Sequence, residues 1–267
     1  MNRALLEAAG LTDAGALRQF NEDRIVVDPE SGVMIVADGM GGHRAGEVAS
    51  QLAADVVMTR MRARHAKTAG SQAARILVNA SINQANEAIL QAAQADASRQ
   101  GMGTTLAIAF FQANAIVLGH VGDSRIYRLR EDRLELLTRD DSLLREAVER
   151  GLIAPADAAR SRNRSLVTQA VGVSPTVDAH VTQLDTLPGD VYLLCSDGLN
   201  DMVDDDDIAL IITTLAGNLP LAVHSLVQAA KDNGGHDNVS AILVRVLRHV
   251  PADADRHWLA RLLGWFR

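Results

Sequence analysis

The chain has 267 residues, 48% hydrophobic and 22% charged, with a formal net charge of -7. That length buries ample core in one large domain or two small ones, and the acidic balance excludes a general nucleic-acid binder, which needs a basic face. A single cysteine, Cys195, excludes an internal disulfide and suits a reducing compartment; with neither a signal-peptide core in MNRALLEAAGLTDAG nor an apolar run of membrane-spanning length, a cytoplasmic protein is expected.

The apolar run Val33-Met34-Ile35-Val36-Ala37 reads as a buried strand that ends in Asp38-Gly39 and a glycine-rich loop. Residues 44–66 read as a helix with Val48, Leu52 and Val56 four apart, and residues 71–98 as a second with Ile82, Ala85 and Ile89 on one stripe. The period then falls to two. TTLAIAFF, AIVLGHVGD, RIYRL and RLELLT are short β-type runs joined by connections such as QAN and RED, the pattern of an antiparallel meander. Residues 142–166 hold a short helix, a break at Gly151 and the polar ADAARSRNRS; strand-like DAHVTQL and DVYLLCSD follow. DDDDIALIITTLAG has an acidic first turn, an apolar set of Ile208, Ile211, Ile212 and Leu215, and Gly217 as its stop. A further helix begins at Pro220, with Val223, Leu226, Val227 and Ala230 inward, and NVSAILVRVL closes the fold as a buried strand. With no internal repeat or low-complexity linker, one α+β domain to about residue 248 is expected.

The position of certain aspartates carries the chemistry. Asp38 follows VMIVA, Asp123 follows AIVLGHVG, Asp197 follows VYLLCS, and Asp237 stands before NVSAILV. In an antiparallel sheet the end of one strand lies beside the start of its neighbour, so such carboxylates can converge on one rim. Convergent carboxylates repel one another and are expensive to bury unpaired; a divalent cation relieves both problems. Oxygen-only ligation beside the small residues Gly39, Gly122 and Gly198 points to a hard ion, Mg²⁺ or Mn²⁺, rather than zinc. An isolated Asp-Gly at a strand end is more often a turn. Recurrence at four strand edges favours a metal site over four separate turns, although spacing alone does not name the reaction.

Six stretches, TDAGALRQFNEDR, VADGMGGHRAGEVAS, GMGTTLAIAF, GHVGDSRIYRL, LLCSDGLNDMV and GGHDNVSAILV, occur in this order over roughly residues 10–247. The ordered set resembles the metal-dependent Ser/Thr protein phosphatases of type 2C, the PPM family, in their bacterial form. The resemblance implies a sandwich of two antiparallel sheets flanked by helices (α-β-β-α), with a two-metal centre at one edge. It implies that Asp38, Asp197 and Asp237 bind metal, Asp38 bridging both ions and the Gly39 carbonyl completing one. Glu22 and Asp23 would act through water, Asn238 would support the last ligand, and Asp123 would share a third, weaker metal with Asp197. Arg18, four residues before Glu22, matches the phosphate-binding arginine, a role suited to the two-pronged guanidinium.

Two Mn²⁺ or Mg²⁺ ions can lower the pKa of a bridging water and hold hydroxide in line with phosphorus. The implied reaction is therefore one-step hydrolysis of phosphoserine and phosphothreonine in proteins, without a covalent phospho-enzyme, opposing a bacterial Ser/Thr kinase. A monomer with phosphoprotein partners, the kinase among them, and no nucleic acid is expected. A catalytically weak or dead phosphoprotein-binding relative is the alternative; the intact ligand set together with Arg18 favours activity.

Several residues stand outside that pattern. Cys195 is followed by SDGLNDM rather than a phosphate-cradling loop with an arginine, so inert core is expected. GMGTT lacks the downstream Lys of a P-loop and reads as strand entry. Where eukaryotic relatives keep a histidine as proton donor just after the Asp-Gly, this chain has Met40. His43, His120 and His236 lie near the motifs and leave the general acid open, with His43 retained as the candidate. Asp141 stands in RDDS where many relatives carry Asp-His-Ser. Residues 144–166 correspond to the family's mobile flap, whose basic RSRNR would meet an acidic phosphoprotein or simply be solvated. Residues 249–267 form an amphipathic tail with Trp258, Leu259, Leu262, Leu263 and Phe266 on one stripe; docking on its own domain, a membrane surface or a partner remain its open roles.

Overall fold

The computed structural model describes residues 3–42, 44–65, 71–154 and 166–250. Its strands are β1 (Arg3–Asp13), β2 (Asp23–Asp28), β3 (Val33–Met40), β4 (Gly103–Thr104), β5 (Leu106–Phe111), β6 (Ala115–Val121), β7 (Arg125–Arg130), β8 (Arg133–Leu136), β9 (His180–Asp185), β10 (Val191–Cys195) and β11 (Val239–Val250). One sheet has the order β1-β11-β10-β7-β8, and the other β2-β3-β5-β6-β9, with β4 paired to β3. Side chains alternate across a strand, and here both faces of the central strands are covered. In β3, Val33, Ile35 and Ala37 belong to the cluster packed against helices, while Met34 and Val36 face the cluster between the sheets. The second strand face is therefore as apolar as the first, and the strand reads as one unbroken hydrophobic run.

Helices close the outer faces. α1 (Ala45–His65) and α2 (Ser71–Ala95) cover the β3-β5-β6 face, where Ile82, Ala85 and Ile89 are fully buried. α3 (Leu143–Glu149) starts at Ser142, whose hydroxyl accepts from the Arg145 N–H, and α4 (Asp197–Asn200) is a single turn after β10. α5 (Asp205–Thr214) is capped by the Asp204 carboxylate, and α6 (Leu219–Asp232) by Asn218 with a proline in its first turn. The apolar faces of α5 and α6 pack on Leu193, Cys195 and Leu243 of the other sheet. The result is the expected sandwich with helices on both outer faces.

Three expectations change. The meander is broken: β5 and β6 lie in one sheet, β7 and β8 in the other, and the chain crosses between sheets at Gly122–Ser124. The core stripe of α1 is not Val48, Leu52 and Val56, which are only partly buried, but Ala45, Ala49, Ala53 and Val57. Short side chains let the helix axis approach the sheet, and the larger ones fill the margins of that contact. Strands β1 and β2 had no signal in the apolar pattern, because their burial is mixed and partial. β1 is held by pairing along its whole length to β11, a partner more than two hundred residues away in sequence. β11 itself runs to Val250, just past the expected domain end at residue 248. His43, the RSRNR stretch and residues 251–267 lie outside the described residues. Among the described residues, no helix is long and apolar enough to cross a membrane.

Candidate metal centre

Asp38 sits inside β3 rather than at its tip, directly across from Asp23 on β2. Its backbone is fixed on the other side by the GMGTT segment, which is strand entry as expected. The Asp38 N–H donates to Thr105 Oγ1 (3.0 Å), and its carbonyl accepts from the Thr105 N–H (2.8 Å) and the Thr104 hydroxyl (2.8 Å). Gly39 has no room for a side chain: a Cβ there would lie 2.1 Å from the Gly46 carbonyl oxygen at the start of α1. The strand and helix can come this close only through glycine.

The other carboxylates arrive from the second sheet. Asp197 begins α4 immediately after β10, and a Cβ at the next residue, Gly198, would lie 2.0 Å from the Asn238 carbonyl oxygen. Asp237 precedes β11, with Oδ1 accepting the Asn238 N–H (2.8 Å). Asn238 acts as a staple: its side chain accepts from the Glu22 N–H (2.8 Å) and donates to the carbonyls of Ala14 (3.0 Å) and Phe20 (2.9 Å). It thereby fixes the loop that carries Arg18 and Glu22. Asp23 joins the two sheets, its Oδ2 accepting from the hydroxyls of Ser196 (2.8 Å) and Ser240 (2.6 Å). Asp123 follows the sheet-crossing turn at Gly122 and is buried.

These side chains form one electrostatic unit. Burial, then the charges of Asp23, Asp197, Asp123 and Asp237, push the Asp38 carboxyl well above the ordinary range. Burial, then Asp123, Asp201, Asp237 and Asp23, do the same to Asp197. Burial pushes Asp123 up to about 7, with Asp140 and Asp201 adding to the shift and Arg125 opposing it. Burial also takes Asp23 up to about 6 in spite of its two serine donors. Among the described residues, three buried carboxylate oxygens, Glu22 Oε1, Asp23 Oδ1 and Asp197 Oδ1, have no hydrogen-bond partner. Unpartnered hard oxygens in a cluster of mutually repelling carboxylates fit divalent cations. Among the described residues no trio of such side chains is drawn into a compact coordination sphere, so the set faces one region without closing on a point.

Arg18 stands at the rim, its side chain half exposed, and its Nη2 donates to Asp237 Oδ2 at 2.7 Å. Neither His120 nor His236 is placed as a ready acid. Burial pushes the His120 pKa down, and its ring stacks on His180 at 6.2 Å. His236 is exposed, with its ring beside Gly234. Met40 ends β3 opposite Gly103. Cys195 is fully buried and its thiol is pushed up to about 12 by burial, which makes it inert.

Sequence reasoning missed the residues that hold the carboxylates. Thr105 bonds the Ser124 hydroxyl (2.7 Å) next to Asp123, Ser196 and Ser240 lock Asp23, and Asp201 adds negative charge. The available signal was a hydroxyl residue inside an otherwise apolar stretch, as Ser240 is in NVSAILV.

A two-sheet sandwich with clustered aspartates at one edge defines a class of metal-assisted hydrolase. The match is more specific than that. A family model for protein phosphatase 2C matches residues 16–248. The Ser/Thr protein phosphatase PstP of Mycobacterium tuberculosis is 36% identical over 245 residues, covering 91% of this chain and 45% of PstP. The Ser/Thr phosphatase stp of Listeria innocua is 34% identical over 236 residues, covering 87% of this chain and 93% of stp. The chain thus spans about half the length of PstP and nearly all of stp. A crystal structure of PstP superposes with a TM-score of 0.84 at 34% identity, covering 91% of this chain and 99% of that one. The PstP catalytic domain in complex with two manganese ions gives 0.81 at 32% identity, covering 92% of this chain and 100% of that one. The chain belongs to the protein phosphatase 2C family.

Proposed function

We propose that the protein is an active phosphatase that removes phosphate from phosphoserine and phosphothreonine in other proteins. The observation that carries this reading is the mutual repulsion of Asp38, Asp123, Asp197 and Asp237, beside buried carboxylate oxygens that lack hydrogen-bond partners among the described residues. Asp38, Asp197, Asp237 and the Gly39 carbonyl would hold two ions, Mn²⁺ or Mg²⁺, as the PstP catalytic domain holds two manganese ions. Asp123 with Asp197 would take a third, weaker ion. Such ions, when bound, supply a water acidic enough to ionise near neutral pH and offset the charge of the phosphoryl oxygens.

The chain's own residues do the rest. Arg18 presents its guanidinium to two phosphate oxygens, and it can leave Asp237 cheaply because an exposed ion pair is worth little. Asn238 keeps the Arg18 loop in place, and Glu22 and Asp23 orient water around the ligands. Residues 1–248 form the catalytic unit and 249–267 an appended tail. The partners are phosphoproteins, among them a Ser/Thr kinase whose action this protein opposes in the cytoplasm.

Hydrolysis of a phosphothreonine peptide, followed by phosphate release with Mn²⁺ and with added chelator, tests the reading. Release that chelator abolishes is expected. Binding of the phosphopeptide without release would instead identify a phosphoprotein-binding relative.

A further inference from the structure

We infer that Asp141 is a positioning residue for Asp123, tying its place at the carboxylate cluster to β9 and to the chain at Thr168–Gln169. The role of Asp123 itself rests on the phosphatase reading above. Asp141 is almost fully buried and grips both backbone groups of Gly122, the residue before Asp123. The Gly122 N–H donates to Asp141 Oδ2 (3.0 Å), and the Asp141 N–H donates to the Gly122 carbonyl (2.7 Å). Gly122 is the point where the chain leaves β6 and crosses to the other sheet. Its φ is +101°, and a Cβ would lie 2.8 Å from Thr105 Cβ, so the turn has little latitude of its own. Whatever holds Gly122 sets where Asp123 points.

The rest of Asp141 reaches the neighbouring elements. Its Oδ1 lies 3.0 Å from His180 Nε2 on β9, its Oδ2 accepts from Gln169 Nε2 (3.2 Å), and its carbonyl accepts from the Thr168 N–H (2.7 Å). Gln169 is pinned in turn by the Asp178 backbone, donating to its carbonyl (2.9 Å) and accepting from its N–H (2.8 Å). A carboxylate offers two acceptor oxygens, Oδ2 to the Gly122 N–H and the Gln169 amide and Oδ1 to a protonated His180 Nε2; an asparagine keeps only one, so with its oxygen on Gly122 and Gln169 its NH₂ faces His180 and that donor loses its acceptor. Among the described residues no three His, Cys, Asp or Glu side chains, here or elsewhere, are grouped to hold a metal ion.

Four single variants and one double-variant cycle decide the matter. Supporting groups one step removed from a metal site cost about 10–100-fold in affinity or activity when lost. Asp141→Asn should therefore raise the Mn²⁺ concentration for half-maximal activity about tenfold, lower kcat and leave KM for the phosphopeptide nearly unchanged. In calorimetric titration with Mn²⁺ alone, Asp141→Asn and Asp123→Asn should lose the same weak binding event and keep the tight ones. The double variant should match Asp123→Asn alone, since one residue acts through the other. His180→Leu, at a half-exposed position that tolerates change, should shift the Mn²⁺ dependence in the same direction, and His180→Gln should restore it by keeping a donor. An Asp141→Asn protein with wild-type Mn²⁺ binding, or a double variant whose losses multiply, overturns the inference. Mn²⁺ binding without phosphate release by the wild type overturns only the phosphatase reading, whereas no Mn²⁺ binding overturns both.

Discussion

Strand β10 has an aspartate near each end, and the two are buried to opposite effect. Asp190, just before the strand, is 1% exposed. Burial pushes its carboxyl up, but Arg130, the Leu187 N–H and the Tyr192 hydroxyl hold it below the usual range. The Arg130 guanidinium meets it through two bonds of 2.7 Å. Asp197, two residues past the strand, is also pushed up by burial, and no cation is among the groups that shift it. Its neighbours are other carboxylates, and they push it further up. Burial alone therefore says little about an aspartate. A carboxylate buried against arginine is finished as a structural element, whereas one buried against carboxylates is held in a state that a cation relieves.

The largest expected effect breaks the functional side of this contrast. Asp38→Asn removes the carboxylate that every other member of the cluster repels. Phosphatase activity should fall by about 10²–10³-fold, the cost of losing one preorganised charge-stabilising group. In chelator the same variant should melt no lower than the wild type, and higher if repulsion dominates, as scanning calorimetry would read. A variant that loses stability along with activity would place Asp38 in the class of Asp190.

The structural side breaks differently. Asp190→Ala strands Arg130 and should cost about 2–4 kcal/mol in urea unfolding, toward the low side for a buried pair because Arg130 keeps contact with solvent. Activity per folded molecule should not change. Acidity separates the two sites as well. An ordinary aspartate titrates near 3.8, whereas folded Asp23 is at about 6 and Asp123 at about 7. Across that interval the metal-free fold binds protons that the unfolded chain does not, so its stability should fall as pH rises from about 4 to about 7. The contribution of Asp190 runs the other way, present above the unfolded pKa and lost as pH falls below it. Saturating Mn²⁺ should flatten the loss on the alkaline side, since a cation favours the ionised carboxylates. Unfolding at pH 5 and 8, with and without Mn²⁺, reads the difference. At the rim, Arg18→Lys keeps the charge and loses the fork, and kcat/KM should drop about tenfold, the worth of one hydrogen bond to a charged group.

The β10 pair also shows what sequence can carry. GDVYLLCSDG places an aspartate beside a glycine at either end, and the local pattern does not distinguish them. What identified Asp197 was the recurrence of Asp38, Asp123 and Asp237 at comparable strand edges, together with the ordered family stretches. The partners that make the difference come from far along the chain. Arg130 reaches Asp190 across sixty positions, and Ser240 reaches Asp23 across more than two hundred. No local period encodes such pairings. The helices from Pro220 and through Ile208 were legible because most of their large apolar residues turn inward, Leu210 and Leu221 excepted. The helix over residues 44–66 was legible too, but its contact face was not, because that face is rich in alanine, which weighs little in a hydrophobic pattern yet lets the helix approach the sheet most closely.

The smallest expected effect concerns the residue between the two aspartates. Cys195 ends β10, two positions before Asp197, and is the residue that a thiol-based phosphatase would use. Its thiol is buried among Tyr127, Leu193, Val239 and Ala241, and at about 12 it carries almost no thiolate near neutral pH. Its weak S–H···Oδ1 contact to Asn200 is 3.7 Å long. Cys195→Ala removes one sulfur from a packed core, so it should cost about 1 kcal/mol in urea unfolding. Mn²⁺-dependent hydrolysis should continue at close to the wild-type rate, and native protein should resist alkylation by iodoacetamide until it unfolds. Loss of activity out of proportion to loss of stability would show that the site works through sulfur, and the contrast between Asp190 and Asp197 would then no longer locate the chemistry.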